Sequence, residues 1–172
     1  KTTILLIRHG ESEGNTLGVF TGHSGYPLTA MGHKQAEITA DYVKDHYQVS
    51  AVYSSDLPRA FQTAEHIANK FKLPVVTDCR FREICAGQWE NKPFAELGKL
   101  FPEDYGVWKN DITHARCTGG ESVLEVAHRA VNALDDVAAA HPGQCIVVVA
   151  HATPIGTAVC AVSGAASENL KG

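Results

Sequence analysis

Four short aliphatic runs, separated by segments long enough for helices, restrict most strongly what this chain can fold into. The runs are TTILLI, SAVYSS, LPVVT and QCIVVVA, which begin at residues 2, 50, 73 and 144. Each has the length of a strand and is continuously apolar, which is typical of a parallel sheet covered on both faces. Their alternation with helical segments predicts an α/β fold, namely a doubly wound, mostly parallel sheet with helices on both faces.

The helical segments have recognisable ends, whereas residues 81–120 interrupt the pattern. Thr29 stands before one segment as a candidate N-cap, Asp56 stands before the next, and Pro58 lies in the first turn after it. Residues 121–141 form a third segment. Residues 81–120 hold six of the 13 aromatic residues. We expect one domain over residues 1–172, with this stretch as an inserted lobe over the ligand-binding edge of the sheet. A second small core beneath a long loop is the alternative.

Composition excludes several classes of partner. The net charge of −4 offers no general attraction to nucleic acid or to an anionic membrane, so we expect neither as a partner. No run approaches the roughly 20 apolar residues of a membrane span. The five cysteines contain no C-x-x-C pair, which favours a reducing, cytoplasmic location over a disulfide framework.

Polar and charged residues follow the predicted strands. Arg8 and His9 come after the first run, Arg59 follows the second, and His151 follows the last, with Asn15 shortly beyond the first. Carboxyl ends of parallel strands meet at one edge of a sheet, so these side chains are expected in one pocket. Two guanidiniums offer forked donors that match phosphate oxygens. The pattern therefore predicts a phosphoryl site.

The two histidines are expected to differ in role. A neutral imidazole can attack phosphorus, whereas a protonated one can only donate hydrogen bonds. We favour His9 as the nucleophile, because it lies just past a strand and Gly10 lets the backbone turn close to a ligand. A metal site using His9, His23, His33 and His151 is the rival interpretation, but their spacings match no H-x-x-x-H pattern.

Several motifs resemble one enzyme family. LIRHGES with Asn15, YSSDLPRAFQTA, REICAGQWEN, GGES and VVVAHATPI resemble the histidine phosphatase superfamily, in its branch of phosphoglycerate-mutase-like phosphatases, and they cover nearly the whole chain. Members of that family commonly continue through further strand structure, so we expect the family fold to be truncated near the final SGAASENLKG.

The resemblance implies hydrolysis of a phosphate monoester, without metal or cofactor, through a phosphohistidine on His9. It also implies that Glu83 protonates the leaving oxygen and later accepts a proton from water. The other implied site residues contact the phosphoryl group or the rest of the substrate: Arg8, Asn15, Thr21, Gly22, Arg59, His151 and Ala152. The expected partner is a small phosphorylated metabolite.

Two alternatives remain open, a phosphoglycerate mutase and a non-catalytic phosphate-binding domain. A mutase must hold a second anionic group, yet no two arginines are adjacent in the chain. Outside the proposed site, His23 and His33 are expected to be exposed, and His128 and Arg129 are expected on the surface or rim.

Overall fold

The sheet consists of four parallel strands in the order β1-β4-β2-β3. The computed structural model describes residues 1–164, and the expected truncation near the C-terminus falls outside this range. The strands are β1 (Thr3–Arg8), β2 (Val49–Ser54), β3 (Val75–Thr77) and β4 (Cys145–Ala150). Both β1 and β2 pair with β4. The most apolar run therefore forms a central strand, as expected for a sheet covered on both faces.

Helices cover both faces of this sheet, which confirms the predicted fold class. They are α1 (Glu13–Leu17), α2 (Ala30–His46), α3 (Pro58–Phe71), α4 (Phe94–Leu100), α5 (Pro102–Asn110), α6 (Val123–Ala140) and α7 (Ala152–Ser163). Val147 and Val149 of β4 pack with α2 and α3, whereas Ile146 and Val148 pack with α6. Within residues 1–164, no helix is both long and apolar enough to cross a membrane.

One of the two predicted helix caps is confirmed and the other is wrong. The Thr29 hydroxyl accepts a hydrogen bond from the N–H of Gly32 at 3.0 Å and caps α2. The N-cap of α3 is Leu57, without a side-chain bond. The Asp56 carboxylate instead accepts a hydrogen bond from Arg82 Nε at 2.7 Å. A charged partner distant in sequence has outcompeted the local backbone N–H groups.

The segment between β3 and α6 packs into a separate apolar cluster together with Phe20 and with Val123 and Val126 of α6. It contains α4, α5 and three short 3₁₀ helices, at Cys79–Phe81, Gly87–Trp89 and Ile112–His114. Trp89 is fully buried at the centre, with the rings of Phe20 and Trp108 each 5.6 Å away. Its indole N–H donates to Thr118 Oγ1 at 2.9 Å. The second small core considered from the sequence is thus present, and neighbouring side chains of the segment also line a cavity.

Candidate active site

A cavity of about 650 Å³ lies beside the carboxyl ends of the strands. Its lining includes Arg8 from the end of β1, Asn15 from α1, Glu83 from the segment after β3, and Ala152 from the start of α7. Arg8 is paired with Ala150 at the end of β4, so the residues that follow β1 and β4 lie side by side. The strand-end residues predicted to meet are therefore brought together.

The imidazole of His9 is held in one orientation and one tautomer. Its Nδ1 lies 2.6 Å from the carbonyl oxygen of Gly10, and a carbonyl can only accept, so Nδ1 carries the proton. The lone pair then resides on Nε2, which accepts a hydrogen bond from Arg59 Nε at 3.3 Å. Burial, opposed by the Gly10 bond and reinforced by the charges of Arg59 and Arg8, lowers the pKa of His9 to about 4. The ring is neutral at neutral pH, with an unprotonated Nε2.

Gly10 is required by helix packing, which differs from the reason expected from the sequence. A Cβ at this position would lie 2.5 Å from the carbonyl oxygen of Gly32 in α2. The N–H of Gly10 donates to Thr63 Oγ1 of α3 at 3.1 Å. The turn after the nucleophile candidate is thus fixed against two helices.

His151 lies next to His9 and is completely buried. The two ring centroids are 5.0 Å apart, and His151 Nε2 is hydrogen-bonded to Ser55 Oγ at 2.9 Å. Among the described residues, no group pairs with His151 Nδ1, although this atom is buried. Burial, with the nearby Arg59 charge, lowers the pKa of His151 well below its ordinary value. This second histidine is therefore also neutral, and it has one unsatisfied ring nitrogen.

Arg59 is fully buried and most of its donors are already engaged. Nη2 donates to the carbonyl oxygens of Thr21 and Gly22 at 2.8 and 2.9 Å, and Nη1 donates to Ser24 O at 2.8 Å. Because its Nε donates to His9, the guanidinium connects the 21–24 loop with the imidazole. Thr21 and Gly22 are thus linked to the site through their backbone carbonyls, which bind Arg59. Thr21 also lines the cavity.

Three predicted site residues present donors at the cavity. Arg8 is exposed, and none of the hydrogen bonds or ion pairs recorded for residues 1–164 involves its guanidinium. Asn15 uses Oδ1 in a capping box with Ser12, at 2.9 Å from the Ser12 N–H, which leaves the amide NH₂ for a ligand. Ala152 opens α7, so its N–H has no partner within the helix. A helix N-terminus of this kind favours an anion.

Glu83 borders the same cavity and is held from several sides. Its Oε1 accepts the N–H of Ile84 at 2.8 Å, and its Oε2 lies 3.4 Å from the N–H of Thr153 in α7. Its backbone carbonyl accepts hydrogen bonds from Arg129 Nη2 at 2.8 Å and from His23 Nε2 at 2.9 Å. The carboxyl group thus lies on a backbone fixed by two other segments of the chain.

Arg129 was expected on the surface or rim, and it is largely buried beside the site. Only 19% of its side chain is exposed. Its guanidinium donates to the carboxylate of Glu121 at 2.8 and 2.9 Å, and the same carboxylate accepts the N–H of Cys85 at 2.7 Å. The guanidinium also donates to three backbone carbonyls, those of Arg80, Arg82 and Glu83. We call this arrangement the Arg129–Glu121 clamp. The only sequence signal for it was the GGES motif, which contains Glu121.

Glu90 also holds the 21–24 loop, by accepting its N–H groups, whereas Arg59 donates to its carbonyls. Its carboxylate accepts the N–H groups of His23 and Ser24 at 3.1 and 2.9 Å, as well as the Ser24 hydroxyl. His23 is only partly exposed, contrary to expectation, because its ring reaches the Glu83 carbonyl, whereas His33 is exposed as predicted.

The site combines a neutral nucleophile candidate, a carboxyl group and several donors suited to an anion. Within the described part of the chain, no three His, Cys, Asp or Glu side chains are grouped to hold a metal ion. Positive charge for a phosphoryl group comes instead from Arg8, from the buried Arg59 and from the helix end at Ala152, and Lys109 adds a further cation to the cavity lining. Such an arrangement can hold a phosphoryl group beside an imidazole nitrogen.

Comparisons with known proteins agree with this chemistry. The profile of the histidine phosphatase superfamily (branch 1) matches residues 4–172. Phosphoserine phosphatase 1 of Hydrogenobacter thermophilus is 35% identical over 162 residues, which cover 94% of this chain and 76% of that protein. Phosphoglycerate mutase-like protein 4 of Arabidopsis thaliana is 37% identical over 150 residues, covering 86% of this chain and 65% of that protein.

The fold is shared with solved structures as well. The crystal structure of the alpha-ribazole phosphatase from Shigella flexneri superposes with a TM-score of 0.85 at 30% identity, covering 97% of this chain and 82% of that one. The family profile extends over almost the entire sequence, and the resemblance inferred from the motifs is confirmed. This chain belongs to branch 1 of the histidine phosphatase superfamily.

Proposed function

We propose that this protein is a metal-independent phosphatase that hydrolyses the phosphate monoester of a small metabolite through a phosphohistidine on His9. Membership of the family and the phosphatase names of its relatives support phosphatase activity. The state of His9 carries the proposal, because its Nδ1–H is committed to Gly10 and its Nε2 is left unprotonated. A nucleophilic imidazole requires this arrangement.

In the first step, Nε2 of His9 attacks phosphorus and the bond between phosphorus and the ester oxygen breaks. Glu83, in its acid form, gives its proton to the departing oxygen, so an alcohol leaves instead of an alkoxide. The phosphorylated ring is a cation, and its Nδ1–H continues to donate to the Gly10 carbonyl. That hydrogen bond stabilises the charge and keeps the ring oriented.

In the second step, water attacks the phosphoryl group and the bond from phosphorus to Nε2 breaks. The Glu83 carboxylate takes a proton from the attacking water, which restores its acid form for the next cycle. Inorganic phosphate leaves, and His9 returns to the neutral tautomer found in the structure. Atoms and protons therefore balance over the cycle with water as the only co-reactant.

The remaining residues stabilise charge on the phosphoryl oxygens. Arg8, the Asn15 amide and the Ala152 N–H have donors available, and His151 Nδ1 lacks a partner. A buried polar atom without a partner costs about 1–3 kcal/mol, so a phosphoryl oxygen that pairs with His151 Nδ1 offsets this cost. Arg59 contributes mainly through its charge, since carbonyls occupy most of its donors. Phosphoryl transfer depends chiefly on such positioning and charge.

Hydrolysis is favoured over a mutase reaction. A mutase must retain a second anionic group under conditions that exclude water. In the described part of the chain, Lys109 is the only cation that the segment between β3 and α6 contributes to the cavity lining. A single lysine makes a weak clamp for a second phosphate, so water is expected to reach the phosphohistidine.

The experiment is rapid acid-free quenching after mixing the enzyme with a ³²P-labelled phosphate ester. We expect an acid-labile, base-stable label that maps to His9 and is absent from His9→Asn. His114→Asn provides the matched control, because His114 is exposed and is not among the residues that line the cavity. Label on another residue would disprove the nucleophile assignment. Tight phosphate binding without any turnover would instead support a non-catalytic binding domain.

A further inference from the structure

The cavity is much larger than a phosphoryl group, and its lining combines two kinds of side chain. Arg8, Asn15 and Glu83 are polar. Four aromatic side chains and one aliphatic side chain form what we call the aromatic wall: Phe20, Phe94, Tyr105, Trp108 and Ile112. We propose that the substrate is a phosphate monoester whose alcohol portion is aromatic or otherwise apolar and carries one anionic group. This inference rests on the proposed phosphatase function and specifies its substrate class.

The aromatic wall is held by ring packing before any ligand binds. The Trp108 ring lies 5.5 Å from Phe20 and 5.6 Å from the buried Trp89. Phe94 packs 5.3 Å from Phe20 yet keeps 47% of its surface exposed. An exposed aromatic side chain beside a preformed cavity is typical of a surface that is covered by a ligand. An apolar alcohol portion would bury this surface on binding.

The charged residues that line the cavity restrict the alcohol portion further. Lys109, in the last turn of α5, lines the cavity next to Trp108. Among the lining residues that the structure describes, Glu83 is the only acidic one, and the proposed reaction occupies it. A carboxylate or second anion on the substrate can therefore pair with Lys109, whereas an ammonium group finds no carboxylate of its own. Phosphoserine, which carries both groups, fits this wall poorly.

The test compares kcat/KM for esters whose alcohols have similar leaving ability: ethyl phosphate, benzyl phosphate, the 3- and 4-carboxybenzyl phosphates, and phosphoserine. We expect benzyl phosphate to exceed ethyl phosphate about tenfold or more. At least one carboxybenzyl isomer should exceed benzyl phosphate, and phosphoserine should rank with ethyl phosphate. Equal values for all five esters, or a preference for phosphoserine, would overturn the proposed substrate class.

Variants separate the contribution of Lys109 from that of the aromatic wall. Lys109→Met keeps the aliphatic stem and should abolish the advantage of the carboxybenzyl esters over benzyl phosphate. Lys99→Met is the matched control, since Lys99 is an exposed lysine of α4 outside the cavity lining. Trp108→Ala should reduce the benzyl preference. Phe94→Ala tests the same surface from an exposed position, should the Trp108 variant fail to fold.

Turnover of 4-nitrophenyl phosphate distinguishes failure of this inference from failure of the proposed function. If that reactive ester is hydrolysed but the variants leave all ester preferences unchanged, the aromatic wall does not select the substrate. If no ester is hydrolysed by the folded protein, the phosphatase proposal itself fails, and the substrate class that rests on it is overturned as well.

Discussion

Replacing Arg129 with methionine removes all five N–H donors of the Arg129–Glu121 clamp while keeping an aliphatic chain of similar length. Three backbone carbonyls and the Glu121 carboxylate lose the guanidinium in this variant, although the Glu83 carbonyl keeps its bond to His23 and the carboxylate keeps the Cys85 N–H. Burial alone would raise the pKa of Glu121, but its bonds to Arg129 and to the Cys85 N–H hold that pKa below its ordinary value. The substitution therefore leaves a carboxylate in a partly buried position without its counter-charge.

The loss of stability follows from this geometry. Side-chain exposures of 19% for Arg129 and 24% for Glu121 place the pair between surface and core. Breaking a fully buried pair costs about 3–5 kcal/mol, and exposed pairs contribute about 0–1 kcal/mol. We expect a decrease of about 2–4 kcal/mol in the free energy of unfolding. Arg116→Met is the matched control, because Arg116 and Glu125 are both half exposed, and it should cost less than about 1 kcal/mol.

The catalytic effect of Arg129→Met should depend on the leaving group. The clamp holds the backbone on both sides of Glu83, so its loss should displace the proposed general acid. General-acid help typically contributes about 10²–10⁴-fold. We expect kcat/KM for benzyl phosphate to fall by about 10²-fold, and that for 4-nitrophenyl phosphate to change less than about threefold, since nitrophenolate leaves without protonation.

The assay is steady-state kinetics on both esters, combined with denaturant unfolding of the same protein samples. Arg129→Lys should recover part of the stability and part of the activity on benzyl phosphate, because one ammonium cannot replace a forked guanidinium. If both esters slow equally, Arg129 supports the fold without positioning Glu83. If neither stability nor activity changes, the reasoning from the clamp is wrong.

Four further predictions concern the site itself. The pKa of His9 is about 4 in the folded protein and about 6.5 when unfolded, so the unfolded state binds more protons between these values. The contribution of His9 to the free energy of unfolding should therefore fall by about 3 kcal/mol as pH drops through this window. If the free energy of unfolding of His9→Asn depended on pH as steeply as that of the unmodified protein, this reasoning would be contradicted. Glu83→Gln should slow alkyl esters about 10²–10⁴-fold while leaving 4-nitrophenyl phosphate nearly unaffected, and equal slowing would remove Glu83 from the acid role. EDTA should not alter turnover, and a loss restored by one metal ion would revive the metal-ligand interpretation. With 3-phosphoglycerate and a trace of 2,3-bisphosphoglycerate, inorganic phosphate should form faster than 2-phosphoglycerate, as measured by NMR; the reverse order would indicate a mutase.

The proximity of His9 and His151 could be predicted because it depends on topology alone. Each residue directly follows a continuous apolar run, and parallel strands bring their carboxyl ends to the same edge. The pairing of Arg8 with Ala150 then places the following histidines next to each other. The identity of the fold and this part of the site thus required only the pattern of strands and helices.

The clamp on Glu83 could not be predicted in the same way. Arg129 binds backbone carbonyls, and a carbonyl has no residue type that a sequence could reveal. The prediction of Asp56 as the N-cap of α3 was wrong for a related reason. Asp56 is bound by Arg82, and the proximity of these two residues depends on the path of the chain after β3. Interactions between distant segments are decided by tertiary packing, and local patterns contain little information about them.

The position of β1 in the sheet has a consequence for how the molecule is made. Thr3 of β1 pairs with Cys145 of β4, so β1 can pair only after β4 has been synthesised. The β2–α3–β3 unit can form from local contacts much earlier, whereas closing the long loop between β1 and β4 is slow. His9, at the end of β1, and His151, after β4, become neighbours only when these two strands pair. A chain in which β1 and β4 have not paired has no complete active site, so activity reports that this pairing has taken place.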